Sequence, residues 1–298
     1  MNYRHVYHAG NFADVLKHIV LCRVVAHLQA KEGALFLLDS HAGIGRYDLA
    51  GDEALKTGEA AGGIRRLLAE PDLPAMLADY LAAIDALNPG PAAQAASSSD
   101  ERPLAERLRW YPGSPRFLRS MMRPGDRLAA CELHPADAET LAAEFFRDRQ
   151  VKTHQMDGYL AVKAMLPPPE RRGFIVVDPP FERRDEFEMM SKGLVAAYRR
   201  FATGVYALWY PVKGRRPVDA FHADLAASGT RRILVAELMI RPGDDPERFN
   251  GCGLVLVNPP WKLDAELREL LPFLARLLRA DPASAAPLRW RVDWLVGE

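Results

Sequence analysis

Cysteine is scarce in this chain of 298 residues, with only Cys22, Cys131 and Cys252 present. The three lie far apart, show no CxxC or zinc-type spacing and are odd in number, which argues against a disulfide framework or a cysteine metal site. Buried thiols in a reducing compartment are the reading that remains. Long apolar runs are missing too. Ile19 to Leu28 is interrupted by Arg23 and His27, too short and too polar to span a bilayer, and the polar, aromatic start from Met1 to His8 has no signal-peptide pattern. A cytoplasmic protein without membrane attachment is therefore expected. Charge of one sign is absent as well: Lys plus Arg and Asp plus Glu stand at 39 each. Global charge gives no footprint for nucleic acid, and any polyanion site has to be a local patch. Basic clusters occur at Arg116/Arg119/Arg123, Arg147/Arg149/Lys152, Arg171/Arg172, Arg199/Arg200 and Lys213/Arg215/Arg216, although clusters of this kind are most often solvated faces. There are eight histidines. His5 and His8 are close, but no HExxH or equivalent ligand set accompanies them, so no metal is expected and a metal hydrolase is the weakest reading.

What is present is apolar periodicity. After Asn11, a plausible helix cap, Phe12, Leu16, Val20, Val24 and Leu28 recur every four residues and form one helical stripe. Asp14, Lys17 and His18 share a neighbouring face, and a solvated face is the plain reading of these three taken alone. Ala34 to Asp39 is a continuous apolar run that ends in an acid and meets Ser40-His41-Ala42-Gly43-Ile44-Gly45, the pattern of a buried parallel strand entering a glycine-bearing turn. Further strand-like runs are Arg127 to Glu132, Val151 to Met156, Phe174 to Asp178, Gly204 to Tyr210, Arg232 to Ile240 and Gly253 to Asn258. Helical stretches such as Asp137 to Phe146 and Asp185 to Phe201 separate most of them. This alternation predicts a mostly parallel α/β sheet with helices on both faces. The last two runs, joined by a polar loop with Gly243, Asp244 and Asp245, are expected as an antiparallel pair at one edge. Between Leu49 and Arg109 the helical patterns Glu59 to Leu68 and Leu73 to Leu87 lead into the Ala/Ser-rich segment Pro91 to Pro103, which reads as a helical insertion with a flexible loop.

In open α/β sheets ligands bind beyond the carboxyl ends of the strands, so the residues that follow each run carry the chemistry. The first run ends in Asp39 and a turn whose Gly43 lets backbone approach a cofactor, or merely makes a tight turn. The second ends in Glu132, where a carboxylate can accept from both ribose hydroxyls. The third is followed by Asp157-Gly158, where an acid can accept from an adenine amino group and the glycine admits the ring. Either acid could instead cap the next helix. The fourth ends in Asp178-Pro179-Pro180-Phe181. Two prolines remove two donors and fix the chain, which leaves carbonyls to point into a site. An exocyclic amino nitrogen is a poor nucleophile because its lone pair is delocalised into the ring. An Asp carboxylate and the Pro179 carbonyl, both accepting from its N–H bonds, can hold it and favour the geometry the lone pair needs. Phe181 can stack on a flipped base, worth about 1 to 3 kcal/mol. Asn258-Pro259-Pro260-Trp261 has a similar form, but it follows two further strands instead of the fourth, and reads as a structural turn.

Taken in order, Tyr3-Arg4-His5, His8-Ala9-Gly10-Asn11, Ala13-Asp14-Val15-Leu16-Lys17-His18, Leu38-Asp39-Ser40-His41-Ala42-Gly43, Tyr111-Pro112-Gly113-Ser114-Pro115, Glu132-Leu133-His134-Pro135, Asp178-Pro179-Pro180 and Arg200-Phe201-Ala202-Thr203-Gly204 resemble the RlmJ-type bacterial 23S ribosomal RNA adenine-N6 methyltransferases. The resemblance implies a Rossmann-like methyltransferase sheet, here residues 1–48 and 110–298, with the small helical insertion at 49–109. It implies S-adenosylmethionine held by His18, His41, Ser114, Glu132, Asp157, Gly158 and Asp178, with Asp178 as catalytic acceptor and Tyr3 and Lys17 near the target adenosine of 23S ribosomal RNA. It also removes Asp14, Lys17 and His18 from the solvated-face reading. Two departures stand out: Phe181 replaces the family's usual Tyr, keeping the stacking face without the hydroxyl, and Ala92 to Ser99 looks like an addition. A monomer is expected. The rival readings are the same chemistry on DNA adenine or protein glutamine, and a non-catalytic RNA-binding module of the same fold.

Overall fold

The computed structural model describes residues 4–90, 102–241, 247–287 and 289–297. The predicted Tyr3, most of the Ala/Ser-rich segment and Gly243, Asp244 and Asp245 lie outside the described residues. Among those described, the strands are β1 (Phe36–Asp39), β2 (Arg46–Asp48), β3 (Trp110–Pro112), β4 (Arg127–Glu132), β5 (Val151–Gln155), β6 (Gly173–Val177), β7 (Val205–Val212), β8 (Ile233–Met239), β9 (Gly251–Val257) and β10 (Arg289–Val296). The helices are α1 (Phe12–Gln29), α2 (Asp52–Thr57), α3 (Ile64–Leu68), α4 (Ala78–Leu87), α5 (Leu104–Arg107), α6 (Ser114–Met121), α7 (Pro135–Glu144), α8 (Gly158–Met165), α9 (Glu186–Arg200), α10 (Arg215–Ala227) and α11 (Leu263–Leu278). None is long and apolar enough to cross a membrane.

The main sheet has the order β10-β8-β9-β7-β6-β1-β4-β5, while β2 and β3 form a separate ribbon. β5, β4, β1, β6 and β7 are parallel neighbours. β9 runs against both β7 and β8. The strands of the centre are buried on both faces because helices cover both, hence their unbroken apolar sequences. One core layer joins α1, α3, α4, α6 and α11 to the sheet, and the other joins α8, α9 and α10. All three cysteines are free and buried. The result is the Rossmann-like α/β fold of the sequence reading.

Two expectations need correction. The β8–β9 pair is antiparallel but does not form the edge: β9 is inserted between β7 and β8, and the edge is β10, paired to β8. The sequence of β10 alternates charge with tryptophan, as an edge strand facing water on one side often does, and lacks the apolar run that flags a central strand. The helical stripe is also wider than the fourfold spacing suggests. Asn11 caps α1 by accepting the N–H groups of Ala13 and Asp14 at 2.9 and 3.0 Å. Beyond that cap α1 is buried on nearly every side, with Asp14 at 1%, Lys17 at 4% and His18 at 1% exposure. The solvated face does not exist, because the helix is packed between the sheet, α4, α6 and α11.

Candidate active site

The carboxyl ends of β1, β4, β5 and β6 open on a cleft of about 850 Å³. Its walls include Lys17, His18, His41, Gly43, Ser114, Glu132, Asp157, Gly158, Asp178, Pro179 and Phe181, so every described residue singled out from the sequence as a site residue meets in one place. Parallel strands put their C-termini on one edge, which is why serial order along the chain becomes proximity in space. The competing Asn258 turn is removed by strand direction. Val257, at the end of the reversed β9, pairs with Tyr206 at the start of β7, on the opposite edge of the sheet. There Asn258 donates through Nδ2 to the carbonyls of Ala202 and Gly204, both at 2.8 Å.

The charged centre comes from α1. Lys17 Nζ lies 2.5 Å from Asp178 Oδ2 and 3.0 Å from Asp14 Oδ1. Asp14 Oδ2 in turn accepts the Gly10 N–H and faces His5 Nε2, each at 2.9 Å. Burial alone would strip the proton from Lys17, but the two carboxylates outweigh it and hold the amine well above its ordinary range. Burial works in the opposite sense on Asp14, where His5 and Lys17 prevail and keep the carboxyl well below the usual value. Lys17 thus remains a cation wedged between two acids, and it fixes one oxygen of Asp178 while leaving Oδ1 for an incoming donor.

Two histidines line the cleft as neutral rings. Burial, helped by the Lys17 charge, pushes His18 well below its usual pKa, and burial lowers His41 to about 4. His18 Nδ1 is 3.0 Å from Tyr111 Oη, which is 3.1 Å from Tyr80 Oη, so a chain of hydrogen bonds from α4 and β3 sets the ring. Its Nε2 is buried and has no hydrogen-bond partner among the described residues, with Asp14 Oδ1 3.9 Å away; it is an unsatisfied nitrogen of the kind a bound ligand satisfies. His41 Nδ1 is 2.8 Å from Ser40 Oγ, and its ring meets Tyr159 edge-on at 5.5 Å.

Both serial acids line the cleft, and one of them also caps a helix. Asp157 Oδ1 accepts the Leu160 N–H at 2.9 Å and caps α8, while the residue also lines the cleft. Glu132 accepts the N–H groups of His134 and Gly43 at 2.8 and 3.0 Å, one on each oxygen, which leaves each oxygen a further lone pair. Gly43 has φ +60, and a Cβ there would fall 2.2 Å from Tyr47 Oη; one at Gly158 would fall 2.3 Å from the Ser40 carbonyl. Phe181 has φ +52, in the left-handed region that costs a bulky residue of order 1–3 kcal/mol. Its half-buried ring packs edge-on against Phe187 at 5.1 Å and Trp209 at 5.9 Å, which holds it at the cleft wall. Trp209, Phe249 and Lys213 also line the cleft. Lys213 was noted only as part of a basic cluster, and none of the three was singled out as a site residue because they follow no acid-turn pattern; the length of β7 and the path into β9 bring them here.

Asp39 lies wholly buried beneath this floor, with no hydrogen-bond partner for Oδ2 among the described residues. Burial pushes its carboxyl up to about 6 against the pull of its hydrogen-bonding neighbour Ser114. A carboxyl whose pKa rises on folding stabilises the native chain fully below its unfolded value of about 3.9, and that contribution is lost as pH rises through the folded value. The loss is on the order of 3 kcal/mol for a shift of this size. Asp39→Asn, which mimics the protonated form, should therefore melt above wild type at about pH 7.5, with the gap shrinking toward about pH 4.5. Thermal melts across that range check this, and a gap independent of pH would refute it.

Among the described residues no group of three or more His, Cys, Asp or Glu side chains could hold a metal ion. Comparison with known proteins gives a consistent set of relatives. Residues 32–296 match the family model described as ribosomal RNA large subunit methyltransferase D, RlmJ. Two proteins named ribosomal RNA large subunit methyltransferase J, from Haemophilus influenzae and Escherichia coli, are 40% and 39% identical over all of this chain and all of their own length. A crystal structure of a Legionella pneumophila protein superposes with a TM-score of 0.83 at 32% identity, covering 96% of this chain and 98% of that one. With its family model matched over most of its length and its relatives alike from end to end, the chain belongs to the RlmJ family of ribosomal RNA large subunit methyltransferases.

Proposed function

We propose that this protein transfers a methyl group from S-adenosylmethionine to the exocyclic N6 of a specific adenine in 23S ribosomal RNA, working in the cytoplasm where that RNA is assembled. The observation that carries the reading is the Lys17–Asp178 pair at the cleft wall, 2.5 Å apart, on a strand end followed by two prolines and an aromatic. Family membership supports the substrate class, since the relatives are named for large-subunit ribosomal RNA.

The cleft suits the cofactor. His18 offers an unsatisfied neutral nitrogen, Ser114 a hydroxyl, Glu132 a carboxylate for a ribose, Asp157 one for an adenine amino group, and Gly43 and Gly158 remove side-chain bulk. Bound there, S-adenosylmethionine supplies a methyl already activated on its sulfonium. The chain's own residues then do the orienting. Asp178 Oδ1 and the Pro179 carbonyl accept the two N–H bonds of the target amino group, while Lys17 prevents Asp178 from turning away. Phe181 provides a ring face for the adenine once it leaves its stack. Orientation accounts for most of the rate in such a scheme. The amino proton becomes acidic only as the new N–C bond forms, so an acceptor suffices and a strong base is unnecessary.

Incubation with methyl-labelled S-adenosylmethionine and, in parallel, ribosomal RNA, duplex DNA and protein extract distinguishes the rival substrates. Label is expected in N6-methyladenine of 23S RNA. Label confined to DNA or to protein glutamine would overturn the substrate assignment, and absence of S-adenosylmethionine binding by calorimetry would favour a non-catalytic RNA-binding module.

A further inference from the structure

The balanced charge of the chain leaves phosphate recognition to a local patch, and the arginines adjacent in sequence largely serve the protein's own structure. Arg116 and Arg119 pair with Glu144 and Asp148, Arg172 donates to the carbonyls of Leu28, Glu32 and Gly33, and Arg215 makes a two-pronged pair with Glu237. A different group of cations is assembled only by the fold. Beside the active cleft lies a groove of about 530 Å³ that shares Asn11, Glu59 and Phe249 with it. Arg66 of α3 and Arg241 and Arg248, both within the β8–β9 connection, line it. Among the described residues Glu59 is the single acid of the lining, and its oxygens already face His8 Nδ1 and accept Asn11 Nδ2, both at 2.9 Å.

The way two of these arginines are held is informative. Arg66 Nη1 donates to the Arg279 carbonyl at 2.7 Å, and Arg241 Nη1 donates to the Phe249 carbonyl at 2.7 Å. Their anchors are neutral carbonyls, so among the described residues the positive charge is not cancelled and Nε and Nη2 of each remain to donate. At the adjoining cleft wall, Lys213 is exposed, and its carbonyl accepts from Asn250 Nδ2, the residue after Phe249, at 2.8 Å. A base drawn out of its stack into the cleft brings its flanking phosphates to the cleft mouth. Pre-positioned guanidiniums suit phosphate oxygens there.

We propose that this groove binds the sugar-phosphate backbone of the RNA strand flanking the target adenosine, with Arg66 and Arg241 each contacting a phosphate and Phe249 marking the passage from groove to cleft. The proposal rests on RNA being the substrate. No base edge need be read, so the groove contributes affinity and register and leaves choice of the target base to the cleft.

Fluorescence anisotropy of a transcribed 23S RNA fragment tests it, measured against salt for wild type and for Arg66→Gln/Arg241→Gln. Gln keeps an amide donor for the anchoring carbonyls while losing the charge. The variant should bind the fragment roughly 10- to 100-fold more weakly at low salt, with the slope of log affinity against log salt shallower by about 1.4 to 1.8. Its affinity for S-adenosylmethionine should match wild type, and Arg66→Lys/Arg241→Lys should keep the wild-type slope. Unchanged affinity and slope in the Gln variant would overturn the proposal. Should the double variant lose S-adenosylmethionine binding through misfolding, Arg241→Gln alone decides, with a slope reduced by about 0.7 to 0.9 expected and no reduction overturning it. Wild type that binds the fragment but never methylates ribosomal RNA would refute the functional reading, while the salt slopes would still judge the groove.

Discussion

Asp178→Asn should lower the methyl-transfer rate roughly 100- to 1000-fold, about 3–4 kcal/mol of lost transition-state stabilisation, while S-adenosylmethionine still binds. The side chain keeps its size, so the expected loss follows from hydrogen-bond polarity. Lys17 Nζ is a donor 2.5 Å from Oδ2, and the target amino group is a donor at the other oxygen. Aspartate can accept on both sides. Asparagine has one oxygen and one NH₂, so it must either point its NH₂ at Lys17 or present it to the amino group it should be accepting from. Each orientation sets donor against donor. Single-turnover rates on ribosomal RNA, together with calorimetry of cofactor binding, provide the measurement. A rate within threefold of wild type would remove Asp178 from the role of acceptor.

Lys17→Met is expected to damage both stability and activity. The amine separates Asp14 and Asp178, whose side chains are 1% and 14% exposed, and it is itself 6% exposed. Removing one partner of a buried ionic cluster leaves uncompensated charge, at a cost of about 3–5 kcal/mol. For a chain of this size that lowers Tm by roughly 6–12 °C. Turnover should fall in parallel because Asp178 loses the contact that orients it. The compensating variant Asp14→Asn/Lys17→Met, which also removes the more deeply buried of the two carboxylates left behind, should recover part of the stability but little of the turnover. A wild-type melting temperature in Lys17→Met would mean that the cluster is not the tightly coupled unit its distances describe.

The legible part of the site is the part built by strand ends. Glu132 and Asp178 could be ranked from the sequence because a central parallel strand is apolar on both faces, and the first polar residue at its end marks the sheet edge; Asp157, after the mostly polar edge strand β5, was ranked by its serial order. Asp14, Lys17 and His18 were not legible in that way. Spacing gives the face of a helix but not what covers it, and on a typical amphipathic helix such a face is wet. Only family resemblance marked these three as functional, and the packing of α4, α6 and α11 around α1 supplies the reason they are buried. The edge strand β10 was missed because its alternating charges and tryptophans carry no continuous apolar signal.

By itself the sequence indicated the order of most strands and helices and the acids that follow them, and it suggested the amino-group chemistry proposed for Asp178-Pro179-Pro180-Phe181. These are consequences of local composition and period, which neighbouring residues set. The tertiary structure alone decided that β9 reverses and carries Asn258 to the far edge, that Lys17 closes on an aspartate distant in the chain, and that Arg66, Arg241 and Arg248 come together in one groove. Strand direction, burial of charge and long-range electrostatics depend on which segments pack together in three dimensions, and no window of sequence contains that information.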